Sequence, residues 1–391
     1  MDRSGNHSFA YISSWANFGG TGGLGLYRFD GDCGKLGFVR MVEDDLSSGM
    51  TIVDMDRNVL YLLNEQADIP EAELGAGGGR LFVYGIDPVS GDLAERQRLP
   101  SYGANPCALT LDSTGKFLIV AHHASHAAVT KVDKDINGAF RIHVLHDDIT
   151  LCLFPVGDDG TVGDPVDVVK HTGWIQGKRI PHASLHSATM APSGEFFSVV
   201  DIGEARIYMY KIDYINRKLA LSAVPFEDEP GSLPRYCLFH PELPYFYVNH
   251  EMGSLDVVCC TYDRRGNLTE TSRVSSMPAG YVKRERDEQQ DFRMHPSGKY
   301  IYDAVNGPDV IAVFEVDEQT GLLTLIQNQE LSGKWARCCA LSPDGRFLVA
   351  TCLKGDKVEV FSIGSDGRLS PTGHFATQNN ASWVTFYNPH T

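Results

Sequence analysis

In the stretch LPRYCLFHPELPYFYVNHEMGSLDVV, residues 233–258, Arg235 opens one apolar run and Glu251 closes the next. A guanidinium can stabilise a developing oxyanion, and a carboxylate can move or orient a proton. The two runs read as strands joined by a turn. In such an antiparallel pair, the start of the first strand and the end of the second share one edge of the sheet. Arg235 and Glu251 are therefore expected to be neighbours. A plain inter-strand ion pair, worth about 0–1 kcal/mol when exposed, is the alternative to a chemical role.

The elements that position this pair recur along the chain. HSATMAPSGEFFSVVDIGEARIYMYKID from His186, QDFRMHPSGKYIYDAVNGPDVIAVFEVD from Gln290 and RCCALSPDGRFLVATCLKGDKVEVFSIG from Arg337 share one plan. Each has an apolar strand, a Pro-Ser/Asp-Gly turn, a second strand, a polar loop and a third strand. In several copies a fourth strand follows a Thr-Gly or Asp-Gly turn. NPCALTLDSTGKFLIVAHH from Asn105 and SGMTIVDMDRNVLYLLNEQ from Ser48 are weaker copies. The turn positions Gly115, Gly194, Leu243, Gly298 and Gly345 lie 79, 49, 55 and 47 residues apart by subtraction, with an insertion in the first interval. That period is one four-stranded sheet.

The C-terminal SWVTFYNP supplies an innermost strand, and the N-terminal FAYISSW and GLGLYRFDGDCGKL supply the strands that follow it. The expectation is an all-β, single-domain, seven-bladed β-propeller over residues 1–391, with both termini sharing the blade that closes the ring. The blades fall near 1–46 with 380–391, then 47–102, 103–173, 182–229, 231–280, 288–332 and 333–379.

A repeat makes its own positions comparable. Six residues before each turn proline or its equivalent stand Trp383, Gly49, Cys107, His186, Arg235, Gln290 and Arg337, at one rim of the expected channel. Ten residues after it stand Glu65, His123, Ile202, Glu251, Asn306 and Leu353. His186, Arg235, Glu251 and Arg337 form a convergent polar cluster. Arg337, Gln290, Asn306, Glu65 and His123 are candidate substrate-binding residues. Two loops add cations and a further imidazole: Lys283, Arg284 and Arg286 ahead of Gln290, and Lys178, Arg179 and His182 ahead of His186.

Composition excludes other classes. The formal net charge of -16 argues against sequence-independent binding to nucleic acid or anionic membrane. No apolar run approaches the roughly 18 residues of a spanning helix, and no apolar segment of a secretory leader precedes the first strand. The nine Cys lack metal-binding spacing and read as reduced thiols of a cytoplasmic protein. HHASH, with His122, His123 and His126, has no second ligand group at recognisable spacing, so no metal or other cofactor is expected. GGTGGLG and GAGGGR neither precede a helix nor contain GK[ST], and read as inter-strand loops.

On LLNE ending at Glu65, NPCALTLDSTGKFLIVA, HSATMAPSGEFFSVVDIG, PRYCLFHP followed by YFYVNHE, and ARCCALSPDGRFLVA, the chain resembles the lactonase-type seven-bladed propellers. That is the family of bacterial 6-phosphogluconolactonase and fungal carboxy-cis,cis-muconate cyclase. The resemblance implies a metal-independent site in the channel mouth acting on a small lactone or its open-chain acid. It places the family's His on His186, its Arg on Arg235 and its Glu on Glu251. The family usually has Asn-Arg-Gly in the sixth blade, whereas DAVNGPD has Asn306 and no Arg. The cluster is one cation short of that pattern, and Arg284, Arg286 and Arg179 are the loop cations within reach of the gap. Hydrolysis of a sugar lactone is the expected activity. Lactone-forming cycloisomerisation and ligand binding without turnover are the alternatives.

Overall fold

In the computed structural model, the described residues are 7–16, 20–66, 78–125, 128–147, 149–171, 174–175, 178–179 and 183–389. They contain strands, turns and bends and no helix. Blade 1 is built from Ala381–Tyr387, His7–Ser14, Gly23–Asp30 and Lys35–Glu43, and blade 2 from Ser48–Asp54, Val59–Asn64, Arg80–Ile86 and Leu93–Pro100. Blade 3 uses Pro106–Leu111, Phe117–His122, Ile149–Pro155 and Asp167–His171. Blade 4 uses Leu185–Met190, Phe197–Asp201, Arg206–Asp213 and Lys218–Leu221, with the short Phe226–Glu227 also paired to its third strand. Blade 5 comprises Pro234–Phe239, Tyr245–His250, Asp256–Tyr262 and Leu268–Ser275. Blade 6 comprises Glu288–Met294, Tyr300–Asn306, Val310–Val316 and Leu323–Glu330, and blade 7 Lys334–Leu341, Phe347–Lys354, Lys357–Ile363 and Leu369–Thr377.

Each first-named strand touches its counterpart in the next blade, and the contact from blade 7 to blade 1 to blade 2 completes the circle. The C-terminal Phe386 and Tyr387 pair with Ala10 and Phe9 near the N-terminus, so both ends of the chain share one sheet, as the repeat requires. The long first interval is explained by a hairpin, Ala128–Lys134 with Phe140–His146, inserted between the second and third strands of blade 3.

Second strands are buried on both faces, which is why they read as continuous apolar runs such as VLYLLN and FLIVAH, while fourth strands such as LAERQRLP are largely exposed. One device joins neighbouring blades repeatedly. A buried tyrosine of a second strand donates its hydroxyl to a glycine carbonyl in the outer hairpin turn of the next blade. Tyr11 bonds Gly91 at 2.7 Å, Tyr61 bonds Gly160 at 2.9 Å, Tyr247 bonds Gly321 at 3.0 Å and Tyr302 bonds Gly367 at 3.1 Å. At Gly321 the backbone is left-handed, φ 70°, and a Cβ would lie 2.5 Å from the Tyr245 ring, so turn shape and blade contact both require glycine there.

Candidate functional site

Every innermost strand carries one residue more than its partner at the position where the candidate ring begins. The register shifts between Pro106 and Ala108, Leu185 and Ser187, Pro234 and Cys237, Gln289 and Phe292, Ala336 and Cys338, and Ser48 and Thr51. A bulge of this kind re-aims side chains out of the pleat. It releases Cys107, His186, Arg235 with Tyr236, Gln290 with Asp291, Arg337, and Gly49 with Met50 from regular alternation. In blade 1, Ser13 pairs Trp383 and Ser14 pairs Ala381, so the equivalent residue is Ser382. The expected ring member Trp383 is therefore one position off. The terminal turn proline is a poor ruler because no second strand follows it.

In five blades the second ring is fixed by one equivalent backbone bond. Glu65, His123, Ile202 and Glu251 donate their amides to the carbonyls of Ser47, Asn105, Ser184 and Leu233. Trp15 makes the same bond to Asn380 and is the blade 1 member, which the search from turn prolines could not reach.

Between the rings lies a connected group of side chains. Arg235 Nη1 is 3.3 Å from Glu251 Oε2, and its guanidinium carbon is 5.8 Å from the centre of the Tyr236 ring. The His186 ring meets Tyr236 edge-on with centres 5.0 Å apart, and His123 edge-on at 5.8 Å. Arg337 lies over the Trp15 ring at 4.5 Å, and the Trp15 indole N–H donates to Glu65 at 3.1 Å. The Gln290 amide donates to Glu288 at 2.6 Å, and the Gln290 carbonyl accepts from Asn249, whose side-chain oxygen takes the Tyr236 N–H.

The group is more enclosed than two adjacent strand ends suggest. His186, Arg235 and Arg337 are 5%, 4% and 5% exposed. His186 Nδ1, Arg235 Nε, and Arg337 Nε and Nη1 are buried and make no hydrogen bond within the protein. Burial, reinforced by Arg235, His123 and Arg337, holds the His186 imidazole well below its usual range, so it is neutral at pH 7. Burial raises the Glu65 carboxyl against the pull of Arg337, Trp15 and Arg235. Burial and then Glu65 push the Cys107 thiol well above its ordinary value, which leaves it protonated and unsuited as a nucleophile. Unpaired buried N–H groups of two cations, beside a neutral imidazole, make an arrangement able to receive an anionic oxygen and take up a proton.

The family profile described as Lactonase, 7-bladed beta-propeller matches residues 9–386. The chain belongs to this family. It is 28% identical over 369 residues to the 6-phosphogluconolactonase of Bacillus subtilis (strain 168), covering 92% of this chain and 93% of the relative. It is 23% identical over 346 residues to the 6-phosphogluconolactonase of Formosa agariphila, covering 87% and 88%. The solved structure of the periplasmic gluconolactonase of Pseudomonas aeruginosa superposes with a TM-score of 0.81 at 22% identity, over 97% of this chain and 99% of that one.

Other sequence candidates of this lactonase propeller are placed differently. Arg284 stacks on Tyr281 at 5.5 Å, and both Arg284 and Arg286 are exposed. His122 is buried in blade 3, with Nδ1 bonded to the Thr150 carbonyl at 2.9 Å. His126 and His182 lie outside the described residues. Reading two fixed offsets from the turn proline missed Trp15, Tyr236 and Glu288. Tyr236 stands one residue after a ring member, where the extra bulge residue shifts the count, and Glu288 stands two residues before one, opposite Asn306.

Proposed function

We propose that the chain is a metal-independent sugar lactonase with its active site at the mouth of the propeller channel. The observation that carries this reading is the pairing of unpartnered, buried guanidinium N–H groups on Arg235 and Arg337 with the buried, neutral His186. Its support is the family and the names of its relatives, 6-phosphogluconolactonase among them.

In the reaction, His186 accepts a proton from water as the water oxygen bonds to the lactone carbonyl carbon. The carbonyl π-electrons move onto oxygen, and Arg235 and Arg337 donate to that oxyanion. Collapse breaks the ring carbon–oxygen bond, and the imidazolium returns its proton to the leaving alkoxide. The product is an open-chain hydroxy acid, which ionises and releases one proton to solution. Glu251 positions Arg235. The nine free cysteines, eight of them buried, support a reducing cytoplasmic setting.

The test is proton release when the protein is mixed with a panel of sugar lactones in weak buffer. Catalysed acidification above the spontaneous rate supports the reading. Its absence across the panel, with binding of the open-chain acids retained, points to a non-catalytic propeller. Acid consumption with lactone appearance points to a cycloisomerase.

A further inference from the structure

The cluster contains a carboxyl group that the hydrolytic steps do not use. Glu288 opens the innermost strand of blade 6, and its backbone pairs with Asn306. It accepts from the Gln290 amide at 2.6 Å. Asn306 also donates to it, while Arg235, Glu251 and Arg337 are its charged neighbours. Glu288 is therefore a member of the same group as the proposed catalytic residues.

Three polar side chains, Glu288, Gln290 and Asn306, thus gather on blade 6, and none is cationic. The cations Arg235 and Arg337 face the carboxyls of Glu65, Glu251 and Glu288. Among the described residues, the loop cations Lys283, Arg284 and Arg286 are exposed, with Arg284 lying 5.5 Å from the centre of the Tyr281 ring. A phosphate dianion needs converging charged donors, and a carboxylate beside it repels it. Sugar hydroxyls, by contrast, donate to a carboxylate and exchange hydrogen bonds with carboxamides.

We propose that Glu288, with Gln290 and Asn306, is a specificity element that accepts the hydroxyls of an unphosphorylated sugar lactone and excludes a phosphorylated one. The inference rests on the lactonase reading. It goes further in assigning substrate choice to a blade 6 carboxyl and in naming the uncharged substrate class.

The experiment compares kcat/KM for glucono-δ-lactone and 6-phosphoglucono-δ-lactone in the parent protein, Glu288→Gln and Asn306→Arg. The parent is expected to favour the unphosphorylated lactone by about ten-fold or more, and each variant to move the ratio about ten-fold toward the phosphorylated one. A parent that prefers the phosphorylated lactone overturns the proposal. So does a ratio that stays within about two-fold in both variants. Should Glu288→Gln fail to fold, the Asn306→Arg ratio decides alone.

Calorimetric titration with gluconate and 6-phosphogluconate separates this proposal from the activity on which it rests. If neither lactone is hydrolysed but gluconate binds more tightly, with the preference reversed in Asn306→Arg, the activity assignment fails and the specificity element stands. If neither lactone is hydrolysed and neither acid binds, both are overturned.

Discussion

Arg235 Nη1 stands 3.3 Å from Glu251 Oε2, yet the arginine is 4% exposed and its Nε has no partner in the protein. Two neighbouring strand ends in a wet mouth would allow either residue to be replaced without effect on the fold. Burial makes the two replacements unequal. Arg235→Ala removes a cation that is only partly compensated, and the remaining carboxylate, 22% exposed, still reaches water. Glu251→Gln removes the charged partner 3.3 Å from a buried guanidinium, at a cost of about 1–3 kcal/mol. Urea melts should therefore rank Glu251→Gln as the less stable variant. Arg235→Ala should lose kcat on the order of 10²-fold if it meets the oxyanion, and Glu251→Gln on the order of 10-fold or more through misplacement of Arg235. Parental kcat in both variants would reduce the pair to architecture.

The pH dependence of turnover tests His186. A base acts only when unprotonated, and burial beside Arg235 keeps this imidazole unprotonated well into the acid range. The acid limb of kcat/KM should accordingly fall below the ordinary histidine range, with activity level from there to pH 7. His186→Ala should remove the limb and cost on the order of 10²-fold or more. A limb centred at the ordinary histidine value in the parent would assign the proton to another group.

The architecture was legible because it repeats. Turn glycines such as Gly194, Gly298 and Gly345 mark the inner hairpins, and the partial blades at each end could only complete one another. Adjacency of Arg235 and Glu251 followed from antiparallel pairing alone. The bulge was not legible. It inserts one residue into each innermost strand without a signature in residue type, so Tyr236 went uncounted beside Arg235, while Trp383 was counted in place of Ser382 because no second strand follows the terminal turn proline. Burial at the strand ends was also not legible, since it arises where blades converge and no single blade encodes it.

His122 makes stability pH-dependent. Its Nδ1–H donates to the Thr150 carbonyl while its buried Nε2 has no partner, and burial lowers its pKa to about 4. The unfolded chain binds this proton near pH 6.5, the folded protein only near 4, so the contribution is complete above about 6.5 and lost as pH falls toward 4. The loss amounts to about 3 kcal/mol. Urea melts at neutral and acid pH should show it, and His122→Gln should flatten the slope. An unchanged slope would place the titration elsewhere.

Chelation should leave activity intact. Among the described residues, the grouping whose donor atoms converge as metal ligands could is His171, Asp201 and Glu204. Its histidine is already bonded to Asp201 at 3.0 Å and to the Tyr210 hydroxyl at 3.1 Å, between blades 3 and 4. Neither His186, Arg235 nor Glu251 belongs to it. Initial rates after EDTA treatment and desalting should match the untreated protein. Loss restored by one divalent ion would direct attention to His171, and substitution of Asp201 by Asn would then be the variant to measure.

Truncation from Ser382 onward tests closure of the ring. It removes Trp383, Val384 and Tyr387, all buried, and the pairing of residues 9–14 with the innermost strand of blade 1. It also removes the contact of that strand with the innermost strands of blades 2 and 7. Burial of each large apolar side chain contributes about 1.5–3 kcal/mol, so the loss is comparable with the whole stability of roughly 5–15 kcal/mol typical of a domain. The exposed inner edge offers unpaired backbone groups to other chains. The truncated protein should therefore be recovered as aggregate, or melt far below the parent in a scanning calorimeter. Removing only residues 389–391, beyond the strand Ala381–Tyr387, should leave the melting temperature within a few degrees of the parent. Equal melting of the long truncation and the parent would show that blade 1 closes without its C-terminal strand.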